Sequence, residues 1–185
     1  MKLWLARHAT PLVDAGICYG RRDVAADAAA TAECAQALAR LLPAGVRVSH
    51  SPLGRCVQLA QALSELRPDL ACTSDPRLQE MDFGAWEGRA WQDIAPAELQ
   101  AWTDGFAEYA AGGSGESTSQ IMARVASAFD ELQGRPDTLW ITHAGVIRAA
   151  ELIARGVRQI SQAGDWPRNA PAYGQWCTLE LKTPS

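Results

Sequence analysis

At 185 residues the chain is long enough to bury a substantial core and needs no linker, so one domain over residues 1–185 is expected. A formal net charge of -4 argues against a nucleic-acid partner, whose phosphates demand a basic face, so any anion must be held by cations gathered locally in a pocket. Leu3 to Ala6 is too short for a signal-peptide core and no other apolar run approaches a membrane span, which excludes a membrane partner and makes a cytoplasmic protein the expectation.

The first expected element is the apolar strand Lys2-Leu3-Trp4-Leu5-Ala6, which carries Arg7-His8 to its C-terminal tip before Pro11 stops it. In an α/β sheet, ligands bind in the crevice outside the carboxyl ends of parallel strands, so a basic pair delivered there is aimed at an anion. Taken alone, Arg7 suits a surface ion pair and His8 a loop cap. The balance shifts because Leu139-Trp140-Ile141-Thr142-His143 ends in the same way and Val46-Arg47-Val48-Ser49-His50 runs into Ser51-Pro52-Leu53-Gly54-Arg55. Two histidines and two arginines at such tips can converge into a pocket for a dianion.

Between these tips, Leu12 to Ala26 reads as a loop hinged at Gly16 and Gly20 and carrying Tyr19, Arg21 and Arg22. Asp27 caps an Ala-rich helix running through Leu42, which Pro43-Ala44-Gly45 ends. Within it, Cys34 and Arg40 match the Cys-x5-Arg spacing of cysteine-based phosphatases. That chemistry needs a loop whose free amides cradle phosphate, and a helix interior has none to offer. The five cysteines, at 18, 34, 56, 72 and 177, are odd in number and form no CxxC pair, so neither a disulfide framework nor a zinc site is indicated. Ser51-Pro52 reads as N-cap and first-turn proline of a second helix reaching about Leu66, which places Arg55 in the first turn, where the positive helix end acts on the same anion. His50 fits a hydrogen-bonded structural role.

Leu70 to Ser74 is a short third strand, and from Asp75 an irregular stretch carries Glu80, Asp82 and Glu87. A carboxylate on a loop over an arginine-rich crevice makes a sensible proton donor. Trp86 and Trp91 are candidates for an aromatic wall that would suit a heteroaromatic base, or for plain packing. Leu99, Trp102 and Phe106 predict an amphipathic helix over Pro96 to Ala110, broken by glycines 112, 113 and 115. Ser117-Thr118-Ser119-Gln120 is a capping box for a helix burying Ile121, Val125, Phe129 and Leu132, with Glu116 just ahead of it at the positive helix end. The strand Thr138 to Thr142, a helix from Gly145 to about Arg155 and a closing edge strand over Ala172 to Leu181 complete the chain. This alternation predicts an α/β fold, a three-layer α/β/α sandwich with a mostly parallel central sheet.

In their order, the Arg7-His8 tip, Ser51-Pro52-Leu53-Gly54-Arg55, Leu78-Gln79-Glu80-Met81-Asp82-Phe83-Gly84-Ala85-Trp86-Glu87-Gly88 and Thr142-His143-Ala144-Gly145 resemble the histidine phosphatase superfamily, the phosphoglycerate mutase-like fold. The segment Gly16-Ile17-Cys18-Tyr19-Gly20-Arg21-Arg22-Asp23 and the compact length are similar to the α-ribazole phosphatase branch of cobalamin synthesis. The resemblance implies a metal-independent, cofactor-free phosphomonoester hydrolase acting through a phosphohistidine on a small phosphorylated substrate, α-ribazole 5′-phosphate or adenosylcobalamin 5′-phosphate. It makes His8 the nucleophile and Glu80 the proton donor, with Glu87 as runner-up. Arg7, Arg55 and a cationic His143 become the phosphate-binding groups, and Tyr19, Gly20 and Arg22 the substrate contacts. Ala9 departs from the family's usual Gly, a difference that matters if the backbone there needs positive φ. A phosphoglycerate mutase-type transfer, a broad-specificity or protein phosphohistidine phosphatase and, last, a non-catalytic phospho-ligand binder are the alternatives. The oligomeric state is not encoded in any pattern of the sequence.

Overall fold

The computed structural model describes residues 1–181. Five strands form one sheet: β1 (Lys2–Arg7), β2 (Arg47–His50), β3 (Cys72–Ser74), β4 (Thr138–Thr142) and β5 (Trp176–Glu180), in the order β3-β2-β4-β1-β5. The first four are mutually parallel where they pair and β5 runs antiparallel along β1, so the sheet is mixed and mostly parallel as expected. Five α-helices flank it: α1 (Ala28–Leu41), α2 (Gly54–Leu66), α3 (Pro96–Asp104), α4 (Thr118–Asp130) and α5 (Ala144–Ala154).

Alternation along β1 divides the core. Leu3 and Leu5 join Trp140, Ile121, Val125, Val146 and Ile147 on the side of α4 and α5, while Trp4 and Ala6 join Leu38, Leu59, Leu63, Val48 and Ile141 on the side of α1 and α2. Both faces are thus covered, which is why β1 and β4 read as continuous apolar runs. Each fully buried Leu or Ile here contributes about 1.5–3 kcal/mol relative to exposure.

Local capping follows the sequence in two helices. Asp27 Oδ1 accepts from Ala30 N at 2.8 Å, and Ser117 with Gln120 forms the reciprocal capping box. It fails in α2. That helix begins at Gly54 with Leu53 as N-cap, and its first N–H donates to Asp23 Oδ1 at 2.7 Å, a carboxylate from the 12–26 loop. Further spans are shorter than expected: β3 begins at Cys72 rather than Leu70, and α4 ends at Asp130, before Leu132. The α3 helix stops at Gly105 rather than at residue 110, with Phe106 packing from the turn that follows, and β5 begins at Trp176, leaving Ala172 to Gln175 as a turn.

Candidate active site

Sheet register decides the site. Arg7 lies opposite Thr142 across β1 and β4, and His50 opposite Ile141 across β2 and β4, so the residues just beyond the three tips emerge side by side. The rings of His8 and His143 stand 5.1 Å apart, tilted by 58°. From the first turn of α2, Arg55 reaches the same place, its Nε donating to His8 Nε2 at 3.3 Å. All three are almost sealed from solvent, at 2%, 0% and 0% exposure for His8, His143 and Arg55.

His8 Nδ1 lies 2.7 Å from the carbonyl of Ala9. An N–H must face that oxygen, so the lone pair is left on Nε2, which is also the atom Arg55 addresses. An imidazole so arranged can act as a nucleophile through Nε2. Burial, reinforced by Arg55 and opposed by the Ala9 carbonyl, lowers the His8 pKa from 6.5 to about 3. Burial first, then Arg55 and His8, holds His143 well below the ordinary histidine range in the ligand-free pocket, which favours the neutral ring there; the cationic His143 expected from sequence is the ring beside a bound anion, a different state. Both histidines then resist protonation in the folded chain but accept it on unfolding. A depressed histidine pKa gives stability that is present above about pH 6.5 and is lost as pH falls towards the folded value, here about 3 for His8. Within that window each such histidine adds about 1.4 kcal/mol per pH unit to the slope of stability against pH. Urea unfolding of His8→Asn between about pH 4.5 and 6 is expected to show a slope shallower by that amount, whereas an unchanged slope would mean that His8 titrates alike in both states.

The arginines are held by loop carbonyls. Arg55 donates from Nη1 to Arg22 O at 3.0 Å and from Nη2 to Gly20 O at 2.7 Å. Arg7 donates from Nη1 to Pro171 O at 3.0 Å, and its guanidinium carbon lies 3.9 Å over the ring of Tyr173. Arg7 Nε and His143 Nδ1 are buried without a protein partner, a demand that a multi-oxygen anion would meet. Tyr19 touches the same group, its hydroxyl 2.5 Å from that of Tyr173 and its ring 5.4 Å from the Arg55 guanidinium. Gly20 is required by close packing, since a side chain there would strike Met81 O. Arg22 enters through its carbonyl. Its side chain is exposed, lies against Gly88 and lines an outer groove with Leu12, Val13 and Tyr19.

Of the three candidate carboxylates, Glu80 is the one joined to a strand-tip element. Its Oε2 accepts from Gly145 N, at the start of α5, at 3.1 Å, and Oε1 accepts from Met81 N at 3.0 Å. Glu87 is a loop strut: it takes the backbone N–H of Arg21 at 2.7 Å and Phe83 at 3.0 Å, and also that of Arg22. Asp82 closes a local turn on Gly84 N at 2.8 Å. Glu116, immediately before the N-cap of α4, forms a two-bond ion pair with Arg124 at 2.6 and 2.8 Å.

A model of the histidine phosphatase superfamily (branch 1) matches residues 3–181. The chain belongs to this superfamily. Among solved structures it is similar to TTHB049 of Thermus thermophilus, with 27% identity, 99% of this chain and 95% of that one covered, and a TM-score of 0.74. It also shares its fold with a mycobacterial glucosyl-3-phosphoglycerate phosphatase, at 23% identity, 96% and 88% coverage and a TM-score of 0.78. A vanadate complex of that mycobacterial enzyme gives 23% identity, 97% and 90% coverage and a TM-score of 0.79. No curated protein matches the chain. Membership makes the chain a phosphatase enzyme with the phosphoglycerate mutase-like fold.

Set against the superfamily's pattern, Ala9 is harmless: it is fully buried, and among the described residues no non-glycine has positive φ. Cys34 lies inside α1, where burial pushes its thiol up to about 11, as a packing residue and not a phosphatase nucleophile would have it. Among the described residues no group of three or more His, Cys, Asp or Glu is placed to hold a metal ion, and no helix is long and apolar enough to cross a membrane.

Three residues of the site have no site role in the sequence pattern. Ser51, which reads as a helix cap, places its hydroxyl 2.8 Å from His143 Nε2. Tyr173 falls within the expected edge strand, although Pro171 and Gly174 signal the turn that brings it over Arg7. Arg148, five residues beyond His143, shares a cavity wall with Glu80.

Proposed function

We propose that the chain hydrolyses phosphomonoesters through a phosphohistidine at His8, with α-ribazole 5′-phosphate, or the adenosylcobalamin 5′-phosphate that bears the same ester, as substrate. The observation that carries the reading is the His8 Nε2 lone pair, fixed by the Ala9 carbonyl and met by Arg55 at 3.3 Å opposite a second histidine. In the first step Nε2 attacks phosphorus and the P–O bond to the alcohol breaks. The proton on Glu80 goes to the departing oxygen, so a neutral alcohol leaves. In the second, Glu80 as carboxylate takes a proton from water, whose oxygen bonds phosphorus while the N–P bond breaks and returns the lone pair to Nε2. Arg7, Arg55 and His143 supply donors to the equatorial oxygens, where charge is spread in the transition state. The dianion brings His143 a charge partner that the ligand-free pocket lacks, which favours protonation of that ring once the ester is bound. Tyr19 and the Gly20 and Arg22 carbonyls support the reading by holding the Arg55 fork and the mouth of the hollow.

The substrate assignment rests on the likeness of the Gly16–Asp23 segment to the ribazole branch. The test is phosphate release from α-ribazole 5′-phosphate against a panel of phosphomonoesters that includes 3-phosphoglycerate, with and without a bisphosphate primer. Preferential, primer-independent release from the ribazole ester is expected. A strict primer requirement would replace hydrolysis by mutase-type transfer, and indifference across the panel would remove the substrate but keep the reaction.

A further inference from the structure

In an in-line displacement the alcohol leaves on the side opposite His8, and the group that protonates it must stand beside that oxygen. The body of the leaving group therefore lies next to Glu80, and Glu80 lines two cavities. One, of about 270 Å³, is bounded by the charged side chains of Arg21, Arg77, Glu116 and Arg124. Its cations are paired with protein groups, Arg21 at the exposed rim with Asp82 at 3.6 Å. Arg124 bonds Glu116 twice and the carbonyls of Arg77 and Gln79 at 2.7 and 2.8 Å, and Arg77 pairs with Asp75 at 2.8 Å and Glu131 at 2.5 Å.

The other cavity, of about 260 Å³, is walled by Trp91, Trp102, Phe106 and Trp166 together with Arg148. Trp86 belongs to the same aromatic cluster but is fully buried, with its indole N–H donated to Glu98 at 2.7 Å, so that part of the cluster is packed core. Trp91, Trp102 and Trp166 are half-buried and bound open space. Arg148 donates from Nη2 to Arg168 O at 3.1 Å, but its Nε is buried without a protein partner, as is Trp102 Nε1. Unmet donors among aromatic walls lie on this side of Glu80 and not on the other. Aromatic faces and edges favour a flat ring over an alkyl group of equal area, and a desolvated guanidinium favours an acceptor on that ring. The volume falls below the roughly 300–1,000 Å³ of pockets for drug-sized ligands, the scale of a one- or two-ring group.

We infer that this cavity is the leaving-group subsite, taking a planar heteroaromatic base whose hydrogen-bond acceptor is met by Arg148. The inference rests on the phosphomonoesterase reading and adds the place of recognition and the residue that selects. Ribose 5-phosphate and a nucleoside 5′-monophosphate both leave through a primary 5-oxygen of ribose, so comparing them isolates the base. With α-ribazole 5′-phosphate and adenosine 5′-monophosphate as probes, the better of the two is expected to exceed ribose 5-phosphate in kcat/KM by about tenfold or more, mostly through KM. Arg148→Met and Trp102→Leu are each expected to bring that ratio close to one, and Arg148→Lys to restore part of it. Because the ratio is read within each variant, loss of folded protein cancels. Equal kcat/KM for all three esters in the native enzyme, or an unchanged ratio in both variants, overturns the subsite and leaves the phosphatase reading standing. If no ester is hydrolysed the phosphatase reading fails instead. The subsite is then judged by whether adenosine or α-ribazole quenches tryptophan fluorescence in the native protein but not in Arg148→Met, and absence of quenching overturns it.

Discussion

Replacing His8 by Ala is expected to lower kcat by about 10⁴-fold or more and to abolish the labelled phosphoenzyme formed from a ³²P ester. The size follows from what the ring supplies: the lone pair that makes the N–P bond has no substitute nearby, since His143 Nε2 is taken up by Ser51 at 2.8 Å and the Cys56 thiol beside it is pushed far up by complete burial. The rest of the pocket survives. Arg55 keeps the Gly20 and Arg22 carbonyls and Arg7 keeps Pro171, so the variant should still bind inorganic phosphate in calorimetry. Retained binding with lost turnover separates a missing nucleophile from a collapsed site. In the native enzyme the label should be acid-labile and alkali-stable, as an N–P bond is. Substantial turnover by the variant would end the phosphohistidine mechanism.

Gly145→Ala should cost about 10²–10³-fold in kcat without a loss of stability. Gly145 is the second residue of α5 and its φ is not positive, so alanine suits the backbone and gains up to about 1 kcal/mol of helix propensity. The added methyl would nevertheless collide with Glu80 Oε1 and come within 3.4 Å of Ile121 Cδ1. The carboxylate is the freer of the two to move, and moving it costs proton transfer. Leaving-group chemistry provides the control. With p-nitrophenyl phosphate, whose phenolate leaves unprotonated, the first step should persist as a burst while the second, which needs Glu80 as base, slows and the phosphoenzyme accumulates. Full activity towards alkyl esters in this variant would shift the proton donor away from Glu80.

Much of this arrangement is legible in the sequence because it is local. An apolar run that ends abruptly in Arg-His or Thr-His specifies a strand tip with a polar payload, and Asp27 or Ser117–Gln120 specifies a helix start through bonds spanning three residues. What escapes is set by tertiary pairing. Nothing in Ser51 distinguishes a helix cap from a partner of His143, 92 residues away, and the second role prevails because β2 and β4 lie side by side. Periodicity runs past Gly105 because Phe106 buries itself from a turn as readily as from a helix. Tyr173 and Arg148 join the site from segments whose own patterns report only a turn and a helix.

The tethering of Arg55 by the Gly20 and Arg22 carbonyls has a thermodynamic corollary. The fork is oriented when the chain collapses, and the freedom it surrenders is charged to folding, so an arriving ester encounters a receptor already assembled. Affinity for the anion and cohesion of the Gly20–Arg22 segment are therefore linked through Arg55: whatever loosens that segment frees the fork and weakens its share of the receptor, while Arg7 stays held by Pro171.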